Sequence, residues 1–310
     1  MAKRLLVALA STPAALIGCH ANDGSPSDDL PSAPPTTVTE VASTGFQSPT
    51  DAVASPDGRT FYFAAWDAQK TPALFQVSSE PGSTATPLAA GDPLETPTGL
   101  VLSCDGATLY VADMGNEDGA ILQASASGGA PAALPAAGIV RPSGLAMAHD
   151  CKSLFATGRL NDGTPALFQV PIAGGDARVV YQGAPLVSPT GLHVDAQGVA
   201  WVMDHRAQGP EGEGVLFAIP SDGSKATVVV SNLRMGTPGG VSLTAGGGTA
   251  VMPTRDADGN AQLTSVDIAT GQVTQTPTPD MADPAGLRTA RKAGVFAVVD
   301  SEAGTIYRAE

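Results

Sequence analysis

Apolar and polar positions alternate along this chain in short blocks rather than with a helical period. From residue 36 onward, short runs of aliphatic, β-branched and aromatic residues are separated by turns rich in Gly, Asp and Pro. The run Leu109 to Ala112, which follows the turn Asp105-Gly106, is typical. Such runs between turn residues predict β-strands. The missing 3.6-residue period excludes the helical solenoids.

A proline step opens the first strand of six related segments, among them TPTGLVLSCDGATLYVADM from Thr96. Their prolines recur every 45 to 49 residues, and a period of about 40 to 50 residues is typical of a β-propeller. The six prolines are Pro49, Pro97, Pro142, Pro189, Pro238 and Pro284. Six repeats of this period predict one all-β domain over residues 36–310, a six-bladed β-propeller.

Each repeat predicts a blade of four antiparallel strands. The first two strands flank an Asp-Gly or Gly-rich turn, and a polar loop leads to the third strand. The fourth strand is weaker, as at Ala177 to Tyr181. The third strands are predicted at Ala73, Ala120, Ala166, Val215, Gln262 and Thr305.

The sixth repeat reaches Glu310 directly after its third strand, so its blade is one strand short. Thr36 to Ser43 stands before the first repeat where a fourth strand stands before every later one. We therefore expect this N-terminal strand to complete the last blade and close the ring. Closure protects strand edges that would otherwise pair with other chains.

The N-terminus has the layout of a cleavable signal peptide. Lys3 and Arg4 precede the apolar stretch Leu5 to Ile17, which is shorter than the roughly 20 apolar residues of a membrane-spanning helix. Leu16-Ile17-Gly18-Cys19 resembles the lipobox of bacterial lipoproteins, which implies cleavage after residue 18 and lipidation of Cys19. The alternative is an ordinary signal peptide with a chance cysteine.

Lipidation anchors a protein to one membrane leaflet without crossing it. His20 follows Cys19, and by resemblance to enterobacterial sorting the absence of aspartate there favours the outer membrane of the cell envelope. Residues 19–35, rich in Pro, Ser and Asp, have too few large apolar side chains to fold and are predicted to form a disordered tether.

The chain has 16 basic and 30 acidic side chains and a net charge of −14. Loss of Lys3 and Arg4 with the signal peptide leaves 14 against 30, a net charge of −16. Charge attraction to nucleic acid or anionic lipid is therefore disfavoured. We expect a monomer that contacts the membrane through its lipid anchor alone.

The P-x-G-L…DG…LYVAD…G pattern, clearest in the second repeat, resembles NHL-repeat and TolB-like six-bladed propellers, including the gluconolactonase and senescence-marker lactonases. That resemblance implies a divalent metal held by the middle residue of each P-N-G or P-D-G step. None of the middle residues here is a carboxylate or carboxamide, and Asp51, one place later, offers one ligand. A single ligand does not make an oxygen cage. The middle residues are Thr50, Thr98, Ser143, Thr190, Gly239 and Ala285.

A second set of positions, at the ends of the second strands, carries Asp113, Asp204 and Asp300 in alternate repeats. The loops beyond them are acidic, and propeller geometry places these loops and the P-x-G turns on one face. This predicts an acidic mouth for a cation such as calcium, a polyol or a basic partner, with these three aspartates as candidate metal ligands. The alternative, which turn chemistry favours, is that they cap turns. The other candidate ligand residues at this mouth are Asp51, Thr98, Ser143, Thr190 and His205.

Cys104 and Cys151 both lie between the first and second strands of adjacent repeats. An even pair in an oxidising envelope predicts a disulfide, and the alternative is two free thiols. His193 falls within a first strand and is predicted to be a core residue. Asp256 to Asn260 begins like a calcium loop but lacks its distal Glu, so a hairpin turn is expected.

Two functions from different classes remain. The favoured one is a non-catalytic, lipid-anchored envelope propeller that binds a small ligand or an envelope protein. The alternative is a metal-dependent hydrolase or lactonase. The sequence has no motif for nucleophilic, zinc or nucleotide chemistry, and a metal analysis of the mature protein separates the two hypotheses.

Overall fold

Every repeat folds into a small antiparallel sheet in the computed structural model, which describes residues 33–115, 117–208, 213–244, 247–278 and 281–310. The predicted signal peptide, Cys19 and most of the tether lie outside the described residues. Among the described residues the regular structure is almost entirely β, with no α-helix. None of them forms a helix long and apolar enough to cross a membrane.

The strands of blades 1 to 3 are consecutive along the chain. Blade 1 contains β2 (Gln47–Ala54), β3 (Thr60–Trp66), β4 (Pro72–Ser78) and β5 (Thr86–Ala90). Blade 2 contains β6 (Pro97–Leu102), β7 (Thr108–Asp113), β8 (Ala120–Ser125) and β9 (Ala132–Ala133). Blade 3 contains β11 (Leu145–Met147), β12 (Ser153–Arg159), β13 (Pro165–Pro171) and β15 (Arg178–Gln182). Beside it, β10 (Ala136–Ala137) pairs in parallel with β14 (Gly175–Asp176).

Blades 4 and 5 are two successive four-stranded groups that a single residue pair, Arg234 with Arg255, joins into one sheet. Blade 4 contains β16 (Pro189–Val194), β17 (Ala200–Asp204), β18 (Glu213–Ile219) and β19 (Thr227–Arg234). Blade 5 contains β20 (Ser242–Leu243), β21 (Thr249–Arg255), β22 (Ala261–Asp267) and β23 (Val273–Pro277).

The last blade combines both ends of the chain, as the sequence predicted. Blade 6 has the order β1 (Val38–Ala42), β26 (Thr305–Ala309), β25 (Phe296–Asp300), β24 (Pro284–Thr289). β1 pairs antiparallel with β26, and the amides of Thr36 and Thr37 donate to the carbonyl of Glu310 at 2.8 and 2.9 Å. Closure by the N-terminal strand is therefore confirmed.

The apolar core consists of six clusters, each formed mainly by two neighbouring blades. One cluster joins blade 6 to blade 1 through residues such as Val299 and Phe63. There Phe63 stacks on Phe75 with ring centroids 5.2 Å apart, and Phe46 meets Phe63 edge-on at 4.6 Å. The six clusters complete a ring, and the all-β propeller prediction is confirmed.

The P-x-G step bends the first strand at the axis of the ring. Pro97 pairs with Asp113 while Gly99 pairs with Ala112, so the step contains a bulge. A Cβ at Gly144 or Gly191 would collide with the carbonyl of Thr190 or Gly239 in the next blade. Glycine at this place therefore lets neighbouring first strands approach closely and leaves only a narrow axial channel.

Candidate functional site

A cavity of about 190 Å³ lies at the end of the channel where the P-x-G steps meet the ends of the second strands. We call it the mouth cavity. Four of the sequence-predicted site residues line it together, although they come from three blades: Thr98, Ser143, Thr190 and His205.

The hydroxyls at the middle P-x-G position have different partners in successive blades. Thr50 donates to the carbonyl of Pro97 at 2.9 Å, and Thr98 reaches the carbonyls of Ala112 and Ser143 at 3.2 Å. These two hydroxyls join neighbouring blades. They therefore contribute to the ring itself.

In blade 3 the contact to the next blade is made by Thr157, whose Oγ1 lies 3.3 Å from the carbonyl of Thr190. The interblade hydrogen bond of blade 3 therefore does not use the Ser143 hydroxyl. Ser143 and Thr190 are each 5% exposed, and no described residue is a hydrogen-bond partner of Ser143 Oγ or Thr190 Oγ1. A buried hydroxyl without a partner costs about 1–3 kcal/mol.

His205 supplies a third such atom to the same cavity, because its Nδ1 is buried and has no hydrogen-bond partner within the part of the chain that the structure describes. Burial lowers the pKa of His205 most, and the charge of Arg206 lowers it further. The charge of Asp204 and a hydrogen bond with the Ser188 backbone oppose this shift. The ring is therefore neutral at pH 7 and can accept or donate one hydrogen bond inside the cavity.

Two arginines that sequence reasoning did not select, Arg141 and Arg159, also line the mouth cavity. Arg159 donates to the carbonyls of Gly163 and Val187 at 2.8 and 3.0 Å, and Arg141 contacts Met114 Sδ at 3.0 Å. All of these acceptors are neutral. The repeat held one signal for Arg159: it follows its second strand at the place where His205 follows Asp204. The described lining of the cavity thus carries two arginines and no carboxylate, whereas the sequence predicted an acidic mouth.

The three aspartates predicted as candidate metal ligands are buried and bound to backbone amides. Asp113 accepts from Glu95, Thr96 and Gly115 at 2.8–2.9 Å. Asp204 accepts from Val187, Ser188 and Arg206, and Asp300 from four amides between Ala282 and Ala303. Each carboxylate ties the end of a second strand to the loop before its P-x-G step, which is the capping alternative. No group of three His, Cys, Asp or Glu within the described residues is arranged to hold a metal.

Asp51 lies deeper than the mouth, in the narrow part of the channel. Its Oδ2 accepts from Nε and Nη2 of Arg288 at 3.1 and 3.0 Å and from the Leu100 amide at 2.9 Å. Arg288 also donates to the carbonyl of Leu192, so the pair crosses the channel. Both side chains are at least 90% buried. Asp51 is therefore committed to an ion pair, and the residues present do not fit the metal that the lactonase resemblance implies.

The disulfide prediction is confirmed. Cys104 and Cys151 are bonded, with Cα atoms 5.9 Å apart, and they join the turns of blades 2 and 3 at the end of the ring opposite the mouth.

Asp256 forms the expected hairpin turn between β21 and β22, accepting from the amides of Asp258 and Asn260 at 2.9 and 2.8 Å. A hydrogen bond from the Asn260 side chain lowers the pKa of Asp256 most, and the bonds from the backbone amides lower it further.

A second cavity, of about 220 Å³, lies at the end of the ring opposite the mouth cavity. His193 lines it, in contact with Ser242 Oγ at 3.4 Å, rather than being enclosed between blades. Burial, followed by the charges of Arg288 and Arg291, lowers the pKa of His193 to about 3. The Asp51–Arg288 pair stands between this cavity and the mouth.

Comparison with solved structures places the chain among β-propellers. A structure of a nidogen/laminin complex matches with TM-score 0.61 and 19% identity over 78% of this chain and 85% of that one. A structural genomics protein of unknown function from Bacteroides thetaiotaomicron matches with TM-score 0.63 and 14% identity over 88% of this chain and 72% of that one. A protein assigned as TolB from Agrobacterium tumefaciens matches with TM-score 0.55 and 16% identity over 88% of this chain and 96% of that one.

At these identities the likeness concerns the fold, which is the TolB and NHL type of propeller that the repeats resembled. No protein-family model matches the chain, and no curated protein matches it.

Proposed function

We propose that this protein is a non-catalytic binding module of the bacterial cell envelope and that its mouth cavity holds a small polar anion. The observation that carries the proposal is the convergence of Ser143 Oγ, Thr190 Oγ1 and His205 Nδ1, three buried atoms without partners, on one cavity. Native structures rarely leave buried polar groups unpaired unless something else binds them.

The charge of the cavity selects the class of ligand. Arg141 and Arg159 share the cavity with a neutral imidazole and hydroxyls, and the buried carboxylate of Asp204, next to His205 in the chain, is bonded to backbone amides. A carboxylate or phosphate group matches this lining, since guanidinium groups bind such anions with charge-assisted hydrogen bonds. The match to a structure of a nidogen/laminin complex supports an alternative in which a protein partner binds the propeller.

The proposed location in the cell envelope depends on lipidation of Cys19 and on the tether of residues 19–35. β1 is the outer strand of blade 6, so the chain leaves the ring at its rim, where Thr276 Oγ1 donates to the carbonyl of Pro35 at 2.9 Å. Labelling with a fatty-acid analogue tests the anchor: Cys19→Ser abolishes the label, and persistence of the label contradicts it.

Isothermal titration of the mature protein with malonate, inorganic phosphate and glycerol tests the ligand class. The anions are expected to bind saturably and glycerol is not, because the site is built for charge. Arg159→Gln is expected to weaken malonate binding about tenfold, or about 1.4 kcal/mol. Arg59→Gln, an exposed arginine on the opposite face, is the matched control. Equal binding by both variants, or glycerol binding as well as malonate does, contradicts the proposal.

A further inference from the structure

The cavity opposite the mouth has two chemically different halves. The residue four places after the proline of each first strand lines it in every blade. In blades 1 to 3 this residue is apolar, and in blades 4 to 6 it is polar or charged. In blade order the six residues are Val53, Val101, Ala146, His193, Ser242 and Arg288.

The polar half is held by hydrogen bonds between blades. Ser242 Oγ donates to Thr289 Oγ1 at 3.2 Å and contacts His193 Nδ1 at 3.4 Å, so a chain of polar groups links blades 4, 5 and 6. Arg288 is fixed by Asp51 and the carbonyl of Leu192. This half of the wall is therefore rigid, with polar groups in defined positions.

Two arginines line the polar half, Arg291 and Arg288, and the second of them is paired with Asp51. Their charges add to burial, the larger cause, in disfavouring protonation of His193. The guanidinium of Arg291 matches a carboxylate, since such groups form charge-assisted hydrogen bonds. Asp195, the carboxylate in this lining, accepts from Trp201 Nε1 at 2.9 Å and from the amides of Gln197 and Val199.

The rim of the cavity is cross-linked before any ligand arrives. The Cys104–Cys151 disulfide joins the turns of blades 2 and 3, and Arg291 of blade 6 places Nη1 3.1 Å from Cys104 Sγ. The amide of Lys292 donates to the carbonyl of Pro56 in blade 1 at 2.8 Å. A rim fixed in this way reduces the ordering cost of binding.

From this arrangement we infer that the opposite cavity is a second binding site, independent of the mouth, for a small amphipathic carboxylate. The apolar body of the ligand packs against Val53, Val101 and Ala146. Its carboxylate faces Arg291 and the His193–Ser242 pair. The Asp51–Arg288 pair closes the channel between the two sites, so each is occupied from its own end.

Titration of the mature protein with benzoate and with benzyl alcohol, its neutral counterpart, tests the inference. Benzoate is expected to bind saturably, and benzyl alcohol at least about tenfold more weakly. Arg291→Gln is expected to lower benzoate affinity about tenfold, with Arg59→Gln as the exposed control. In ¹⁵N-histidine-labelled protein the His193 signals move and those of His205 do not.

Three results overturn the inference: no saturable benzoate binding at millimolar concentration, equal affinity in Arg291→Gln and the native protein, or binding that leaves the His193 signals unmoved. Ser143→Ala, a change at the mouth, keeps the two proposals separable. It leaves benzoate binding unchanged if the sites are independent, and a loss in this variant assigns benzoate to the mouth instead.

Discussion

Equivalent hydroxyls of the repeat serve two purposes in this ring. Thr50 and Thr98 donate hydrogen bonds to carbonyls of the next blade. At the same repeat position, the hydroxyls of Ser143 and Thr190 have no partner among the described residues. A residue conserved in type between repeats is thus structural in two blades and available in the next two. Stability measurements separate these roles, because a hydroxyl kept for a ligand stabilises nothing in the free protein.

The double variant Ser143→Ala/Thr190→Val is expected to unfold with a free energy equal to that of the native protein or up to about 1 kcal/mol higher, because it removes buried groups that lack partners. Thr98→Val, its matched control, is expected to lose about 1 kcal/mol, since its hydroxyl is bonded. Urea denaturation without added ligand measures both. A loss in the double variant as large as that in Thr98→Val contradicts the assignment.

His193 gives the protein an acid-side pH dependence. Its pKa is about 3 in the folded protein and about 6.5 in an unfolded chain, so the unfolded state binds the extra proton between these values. Stability is full above pH 6.5 and falls as the pH drops toward 3, by at most about 1.4 kcal/mol per pH unit from this group. The charged and titratable groups facing it are Arg288, Arg291, Asp195 and His149.

Urea denaturation across this range checks the effect. His193→Gln is expected to have a shallower decline between pH 6.5 and 3 than the native protein. Parallel curves for the two proteins would assign the acid sensitivity to other groups.

Each of the three buried aspartates, Asp113, Asp204 and Asp300, accepts hydrogen bonds from several backbone amides. A hydrogen bond to a charged group contributes about 1.5–3 kcal/mol to the free energy of unfolding. Each single change to Asn is therefore expected to lower stability by about that amount, with or without calcium. Asp176→Asn, an exposed aspartate, is the control. Calcium remains a prediction of the sequence for these three residues, and a rise in native melting temperature with calcium that all three variants lose would establish it.

At the scale of elements, the repeat predicted strands well where neighbours in sequence are neighbours in space. The third strands at Ala73, Ala166 and Thr305 lie within β4, β13 and β26. Side-chain contacts between the first and last blades were not predictable. Asp51 and Arg288 are 237 residues apart, and a lone arginine in an apolar strand gave no sign of its partner. The mouth hydroxyls were found because the repeat aligned them, whereas Arg141 opens its segment at a position that was not read as part of the site.

Deleting residues 36–43 removes β1 from blade 6, exposes the edge of β26 and opens the cluster that contains Val41. The shortened domain is expected to melt well below the intact one and to aggregate, because an unpaired strand edge is a template for other chains. Deletion of residues 22–31, within the tether, is the control and is expected to change nothing. Equal melting temperatures for the two deletions would remove the closing role of β1.

For the whole molecule, a ring of six blades yields two ligand cavities on one axis, separated by an ion pair and facing opposite directions. A strongly acidic domain keeps its cationic side chains Arg141, Arg159, Arg288 and Arg291 at these cavities. The sequence predicted an acidic mouth from three aspartates and the acidic loops beyond them. Those aspartates are bonded to backbone amides, and the described lining of the mouth carries arginines instead.

The most direct measurement of the central claim is ¹⁵N NMR of the His205 ring during malonate titration of ¹⁵N-histidine-labelled mature protein, with His205→Gln assigning the signals. The account predicts that the His205 nitrogens shift saturably, with the affinity found by calorimetry, because Nδ1 gains the partner it lacks. His193, beyond the Asp51–Arg288 pair, is predicted to stay unmoved. Malonate binding with heat but without any shift at His205 would contradict a site in the mouth cavity.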